Sequence, residues 1–172
     1  HLTKDLKCEQ CIFIDIFPFD CVAPTKKLRK RQWFMTTFLD RLLYLCGTAY
    51  PVIPYKGVKF AAAQAICWCV HYGLKILHIS PRFIYRLYVQ ECTRYNKMHT
   101  PIVTSFGDAE SLQYKFPEKH MFPVKEVPYE DITICVLNNN EEHLRNAYGD
   151  FMQIPPKEKQ INHSPYIIKF ED

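Results

Sequence analysis

A change of pattern near Thr100 most limits how this chain can fold. Before it, apolar residues recur at helical spacing over long stretches; after it, short β-branched runs alternate with prolines. Pro24-Thr25 opens the first periodic stretch, in which Leu28, Met35, Phe38, Leu39, Leu42 and Leu45 keep helical spacing up to Gly47, a glycine stop. Pro51 and Pro54 then mark a loop. A second helix is expected from about Val58 to Leu77, with Ala61, Ala62 and Ala65 as a small face for close packing. Ser80-Pro81 pairs a capping side chain with a first-turn proline. The third helix it begins should reach about Tyr95, with Phe83, Ile84, Leu87 and Tyr88 inward.

Beyond Thr100, Pro101–Thr104 and Ile132–Val136 read as short strands, and the segment carrying Pro117, Pro123 and Pro128 as loop or edge structure. Asn139, with Glu142 three residues on, begins a last helix that presents Leu144, Ala147 and Tyr148 and stops at Gly149. Near the N-terminus, Cys11 to Phe17 is an apolar run broken only by Asp15. That is the pattern of a strand covered on both faces, and Pro18 should end its ladder. The expected architecture is α+β in a single domain over residues 1–172. It has a small mixed sheet, Asp15 on an inner strand, and one helical layer built from residues 25–99.

The chain has 172 residues, 48% of them apolar, enough to bury a core without staples. Its net charge of +4 lacks the concentrated basic signature of nucleic-acid binding, so no nucleic-acid partner is expected. No apolar run approaches the ~20 residues of a membrane span. Phe60 to Val70 comes nearest, but it is short and contains Gln64. Of the eight cysteines, Cys67 and Cys69 flank Trp68 in a helical stretch and Cys135 sits in a strand-like run, which reads as buried free thiols in a cytoplasmic protein. Cys8 and Cys11 form a lone CxxC, with Cys21 ten residues later, so structural zinc is the minor alternative. Five of the six residues from Lys26 to Arg31 are basic. They form either a solvated helix face or a patch drawn to a phosphorylated glycan or an anionic membrane surface, the latter implying peripheral association at the inner membrane face.

Three blocks stand in order across nearly the whole chain: Ile12–Asp20, Val127–Ile132 and Ala147–Lys159. Together they resemble the LicD family, whose members move a phospho-alcohol, typically phosphocholine, from a CDP-linked donor onto a glycan. The resemblance implies a phosphotransferase acting on a cell-surface glycan precursor, of the kind found in lipopolysaccharide or teichoic acid. It also implies a nucleotidyltransferase-like fold in which strand acids hold Mg²⁺ or Mn²⁺ against the donor diphosphate. The family's acidic Trp-Asp-Asp-Asp-type segment has no counterpart ahead of Ile12, so this chain is expected to be the C-terminal majority of a longer enzyme. The alternative is a non-catalytic module that keeps the fold and binds a glycan or a membrane surface.

Asp15 is the expected catalytic and metal-binding acid, because a carboxylate among buried apolar neighbours costs several kcal/mol unless paired or metal-bound. A buried salt bridge is the plainer reading. The resemblance extends substrate-binding roles to Asp20, Glu130, Tyr148, Asp150, Lys159 and His163, and Arg145, just ahead of the third block, is a further substrate-binding candidate. Each has a structural alternative: a turn for Asp20, a hairpin surface for Glu130, an exposed loop for His163. Asp150 follows a helix C-terminus, where partial negative charge makes an acid unfavourable without a partner such as Arg145. Phe19 replaces a family Leu, Tyr129 a Phe, Phe151 a Tyr, and Gln160 an Arg that would clamp phosphate.

Overall fold

A computed structural model describes residues 16–107 and 115–160. Helix α1 spans Lys26–Gly47 and begins where Thr25 accepts from the Leu28 N–H at 3.4 Å. Gly47 is its last helical residue, and the exit is made by Thr48 in an extended conformation, not by a left-handed glycine. Helix α2 covers Gly57–Ile76. Helix α3 covers Pro81–Cys92; the Ser80 hydroxyl accepts from the Arg82 N–H at 3.3 Å, and Pro81 occupies the first turn, where its missing N–H costs nothing. The chain then tightens into a 3-10 turn over Thr93–Met98, so the end expected at Tyr95 falls inside that turn.

α1 is the central helix, packed against α3 and more lightly against α2. Gln32, fully buried on α1, joins three segments: its Oε1 accepts from Ala23 N–H at 2.9 Å, and its Nε2 donates to the carbonyls of Cys21, Glu91 and Cys92, each at 3.3 Å. One turn away, the buried Glu91 carboxylate accepts from Arg31 of α1 at 3.0 Å and from Arg94 Nε at 2.9 Å. Arg29 is also committed, its Nε donating to Ala23 O at 2.7 Å. Lys26, Lys27 and Lys30 are the exposed cations of this block that take no part in these bonds, while Arg31 is exposed but paired with Glu91.

Two small antiparallel sheets complete an α+β fold. Strands β1 (Asp20–Cys21), β2 (Ile102–Thr104) and β3 (Phe116–Pro117) lie in that order, with Asp20 opposite Thr104 and Val103 opposite Phe116. Strands β4 (Lys125–Tyr129) and β5 (Ile132–Val136) form a hairpin closed at Tyr129↔Ile132. Pro128 is tolerated in β4 because that strand has a single neighbour. Helix α4, Asn140–Tyr148, starts at the expected cap: Asn139 accepts from Glu142 N–H at 3.4 Å and donates to the Glu142 carboxylate at 2.6 Å.

The core divides along β1 by strand alternation. Cys21 and Ala23 join Tyr95, Val103 and Phe116, while Val22 joins Cys92 and Phe106.

Several expectations need correction. Among the described residues both sheets are antiparallel, where a mixed sheet was expected, and β1 lies at an edge with β2 inside. The strand expected from Cys11 to Phe17 falls mostly outside the described residues. Its last two members, Ile16 and Phe17, are irregular and exposed, and among the described residues pairing is found beyond Pro18, at Asp20 and Cys21. On α3 the inward set is Ile84, Glu91 and Cys92 with half-buried Tyr88; Phe83 is exposed and Leu87 borderline, because they lie one step round from the stripe that meets α1. On α2, Ala61, Ala62 and Ala65 face outward, since His71 and Gln64 turn the opposite side to α1. Cys69 and Cys135 are exposed and Cys67 half-buried, and among the described residues the buried thiols are Cys21 and Cys92. Among the described residues no single helix is long and apolar enough to cross a membrane.

Candidate functional site

Asp15 and His163, and the side chain of Lys159, lie outside the described residues. The remaining expected site residues fall into three places.

Asp20 belongs to β1 and is half-buried. Its Oδ1 accepts from Asn96 Nδ2 at 2.8 Å, while Asn96 Oδ1 accepts from the Cys21 N–H at 2.9 Å. Asn96 thus locks the carboxylate to the backbone next to it. Near this clamp lie Tyr88 and Cys92, one helical turn apart on α3. Burial pushes the Tyr88 hydroxyl far above its ordinary value, with Cys92 and the carboxylates of Asp40 and Asp20 adding to the effect. Burial likewise pushes the Cys92 thiol up to about 12; the neighbouring Tyr88 hydroxyl acts against the shift, and the charges of Asp20 and Glu91 add to it. Both groups are neutral at physiological pH, so neither is an activated nucleophile. Cys21 points its thiol at the Thr100 carbonyl, 3.7 Å away inside the core.

The second place is the C-terminal end of α4. Arg145, Gly149 and Asp150 line one concavity of ≈ 420 Å³, together with Glu141, Leu144 and Phe151. Gly149 closes the helix at φ 70°, and its N–H donates to Arg145 O at 2.9 Å. That turn carries Asp150 back beside the last helical residues. No ion pair joins Arg145 to Asp150 among the described residues, so the compensating partner expected for that acid is not Arg145. Tyr148 is exposed. A contact chain ties α4 to the first sheet: Phe19 meets Phe116 at 5.2 Å between ring centroids, and Phe116 meets His143 at 4.8 Å. Burial lowers the His143 pKa. Phe19 supplies the first-sheet end of this bridge.

Glu130 occupies the third place, the exposed tip of the β4–β5 hairpin, with φ 51°. Glu130 and Asp131 form a two-residue turn, not extended chain, which fits the hairpin-surface alternative.

The described residues do not by themselves meet the needs of a divalent cation. No group of three or more His, Cys, Asp or Glu side chains among them stands close enough to hold one. A larger hollow of ≈ 500 Å³ lies along α2, between Phe60, Ala65 and Trp68, and its lining is too apolar for a nucleotide diphosphate. Asn96 and Gln32 escaped the sequence reading because their partners are 75 and 59 or 60 positions away. Glu91 left a legible trace: it is the one acid between Arg41 and Gly107. Compared with protein-family models, with curated proteins and with solved structures, the chain finds no match.

Proposed function

We propose that this chain is a phospho-alcohol transferase of the LicD type. It would move phosphocholine, or a related group such as a pentitol phosphate, from a CDP-linked donor to a cell-surface glycan precursor. The reading is carried by the order of the three sequence blocks, Ile12–Asp20, Val127–Ile132 and Ala147–Lys159, across nearly the whole chain. Two geometric features support it. Asp20, from the first block, has its carboxylate held in one orientation by Asn96. The third block folds into a concavity in which Arg145 offers a planar fork of donors suited to phosphate oxygens. Asp150, in the same concavity, offers an acceptor or counter-charge to a hydroxylated or cationic alcohol.

In the proposed reaction an acceptor hydroxyl oxygen bonds to the phosphorus that carries the alcohol, the phosphoanhydride bond breaks, and CMP leaves. The hydroxyl proton passes to solvent. The described residues contribute binding and orientation, and a nucleotidyltransferase-like centre would rest on Asp15. Since those residues do not form a Mg²⁺ or Mn²⁺ site alone, no step is assigned to a metal.

The test has two arms. Isothermal titration of the 172-residue chain with CDP-choline, or with a CDP-linked pentitol, should show saturable binding. Arg145→Ala should weaken it by roughly tenfold, the loss of one charge-assisted phosphate contact. CMP release should require Mg²⁺ and the family's acidic segment fused upstream, and Asp15→Asn in that longer protein should abolish it. Release by the chain alone would place the full ligand set within it. Absence of binding to every CDP-alcohol would overturn the reading in favour of a glycan-binding module.

A further inference from the structure

Among the described residues, the outward side of α2 has no partner. Its inner side is set by two hydrogen bonds, Gln64 Nε2 to Ala49 O at 2.7 Å and His71 Nδ1 to Leu45 O at 2.6 Å. At about 100° per residue, Val58, Ile66 and Ile76 fall on the opposite side, with Ala65 and Tyr72 on its flank and the half-exposed Trp68 at its edge. Val58 is 87% exposed, Ile76 73% and Ile66 64%, and the stripe holds no charged side chain along a helix of 20 residues. Monomeric soluble proteins rarely leave an apolar face of that length open.

The charges around the stripe indicate what covers it. Lys59 and Lys75 stand near opposite ends of α2, each about 100° round from the line joining Val58 and Ile76, on opposite edges of the stripe. Lys75 Nζ lies 5.9 Å from the Tyr72 ring centroid. From Arg41 to Gln90 the sequence has six Lys or Arg and no Asp or Glu, while the remainder carries 16 cations against all 18 carboxylates. All six cations, Arg41, Lys56, Lys59, Lys75, Arg82 and Arg86, are exposed. A second copy of the chain seated on this stripe would bring Lys59 and Lys75 of both copies to the contact, which opposes self-association. An anionic lipid surface satisfies both features: acyl chains take the apolar stripe, and headgroup phosphates take the lysines that snorkel from its edges. α2 meets the Pro81–Met98 segment at a 110° bend, which lets α2 lie flat while the rest of the fold stands off the surface.

We propose that α2 is a membrane-surface helix, seated in the headgroup region of an anionic bilayer with its Val58–Ile76 stripe in the lipid. This inference does not rest on the transferase reading, and its site is distinct from both Asp20 and Arg145.

The test is co-sedimentation of the full 172-residue chain with vesicles of phosphatidylcholine alone or with phosphatidylserine added. Trp68 emission would be followed in a Trp33→Phe background. Binding is expected on the serine-containing vesicles, with a blue shift of Trp68 and weakening as salt is raised. Ile66→Glu should lower the partition coefficient roughly tenfold or more. Lys59→Glu and Lys75→Glu should each lower it about fivefold on anionic vesicles. Val58→Glu reads the same surface if Ile66→Glu disturbs the fold, as judged by circular dichroism. No vesicle binding, binding that survives both glutamates, or a dimer dissolved by Ile66→Glu would each overturn the proposal.

Discussion

Gln32 shows how much one side chain can decide. Its amide has a single workable orientation, because Oε1 must meet the buried Ala23 N–H and Nε2 the carbonyls of Cys21, Glu91 and Cys92. Gln32→Leu keeps the volume but leaves that N–H unpaired in the core. It should cost about 1–3 kcal/mol, measured by urea unfolding. Gly149 acts through backbone shape instead. A Cβ there would meet nothing within 4 Å, yet φ 70° with ψ −124° is a conformation that L side chains rarely adopt. Gly149→Ala should therefore lose roughly 1–3 kcal/mol through strain alone, and it should weaken CDP-alcohol binding by moving Asp150. The glycine was legible as a helix stop. Gln32 was not, since nothing local distinguishes a glutamine that finds its partners across the fold.

At the scale of elements, caps were read more reliably than faces. Thr25, Ser80 and Asn139 each accept the N–H that their position implies. The inward faces of α2 and α3 depended on where α1 lay, so Phe83 and the alanines of α2 ended outside. Helix α4 is held to the first sheet through His143, wedged near Phe116 and Phe19. Burial lowers its pKa, so as pH falls through the ordinary imidazole range the unfolded chain takes up the proton before the folded one does. The contribution of His143 to stability is therefore full above that range and is lost as pH falls below it. Thermal unfolding followed from pH 7.5 to 5.5 should show a declining Tm, and the decline should be smaller in His143→Phe.

Across the whole molecule, thiol chemistry reads out which parts are core. Cys69 and Cys135 are exposed, Cys46 and Cys67 half-buried, and Cys21 and Cys92 buried. Of these six, a thiol reagent added to the native protein should consume Cys69 and Cys135 first. Cys92, pushed up to about 12 by burial, should stay unmodified until the chain unfolds. Under denaturing, non-reducing conditions all eight thiols should react, and a shortfall would count against the expectation of a fully reduced protein.

Sequence alone determined where the helices start, where the chain turns to short strands, and the α+β class. Those properties depend on local terms: capping side chains, proline's missing donor and hydrophobic period. It also determined the order of the three blocks on which the proposed function rests. Tertiary structure decided that Asp20 is clamped by Asn96, that Arg145 and Asp150 share a concavity without pairing, and that the apolar side of α2 faces outward. Each of these depends on which segments meet across tens of residues. Side-chain periodicity says how a helix is divided into faces but not which neighbour, if any, will cover them.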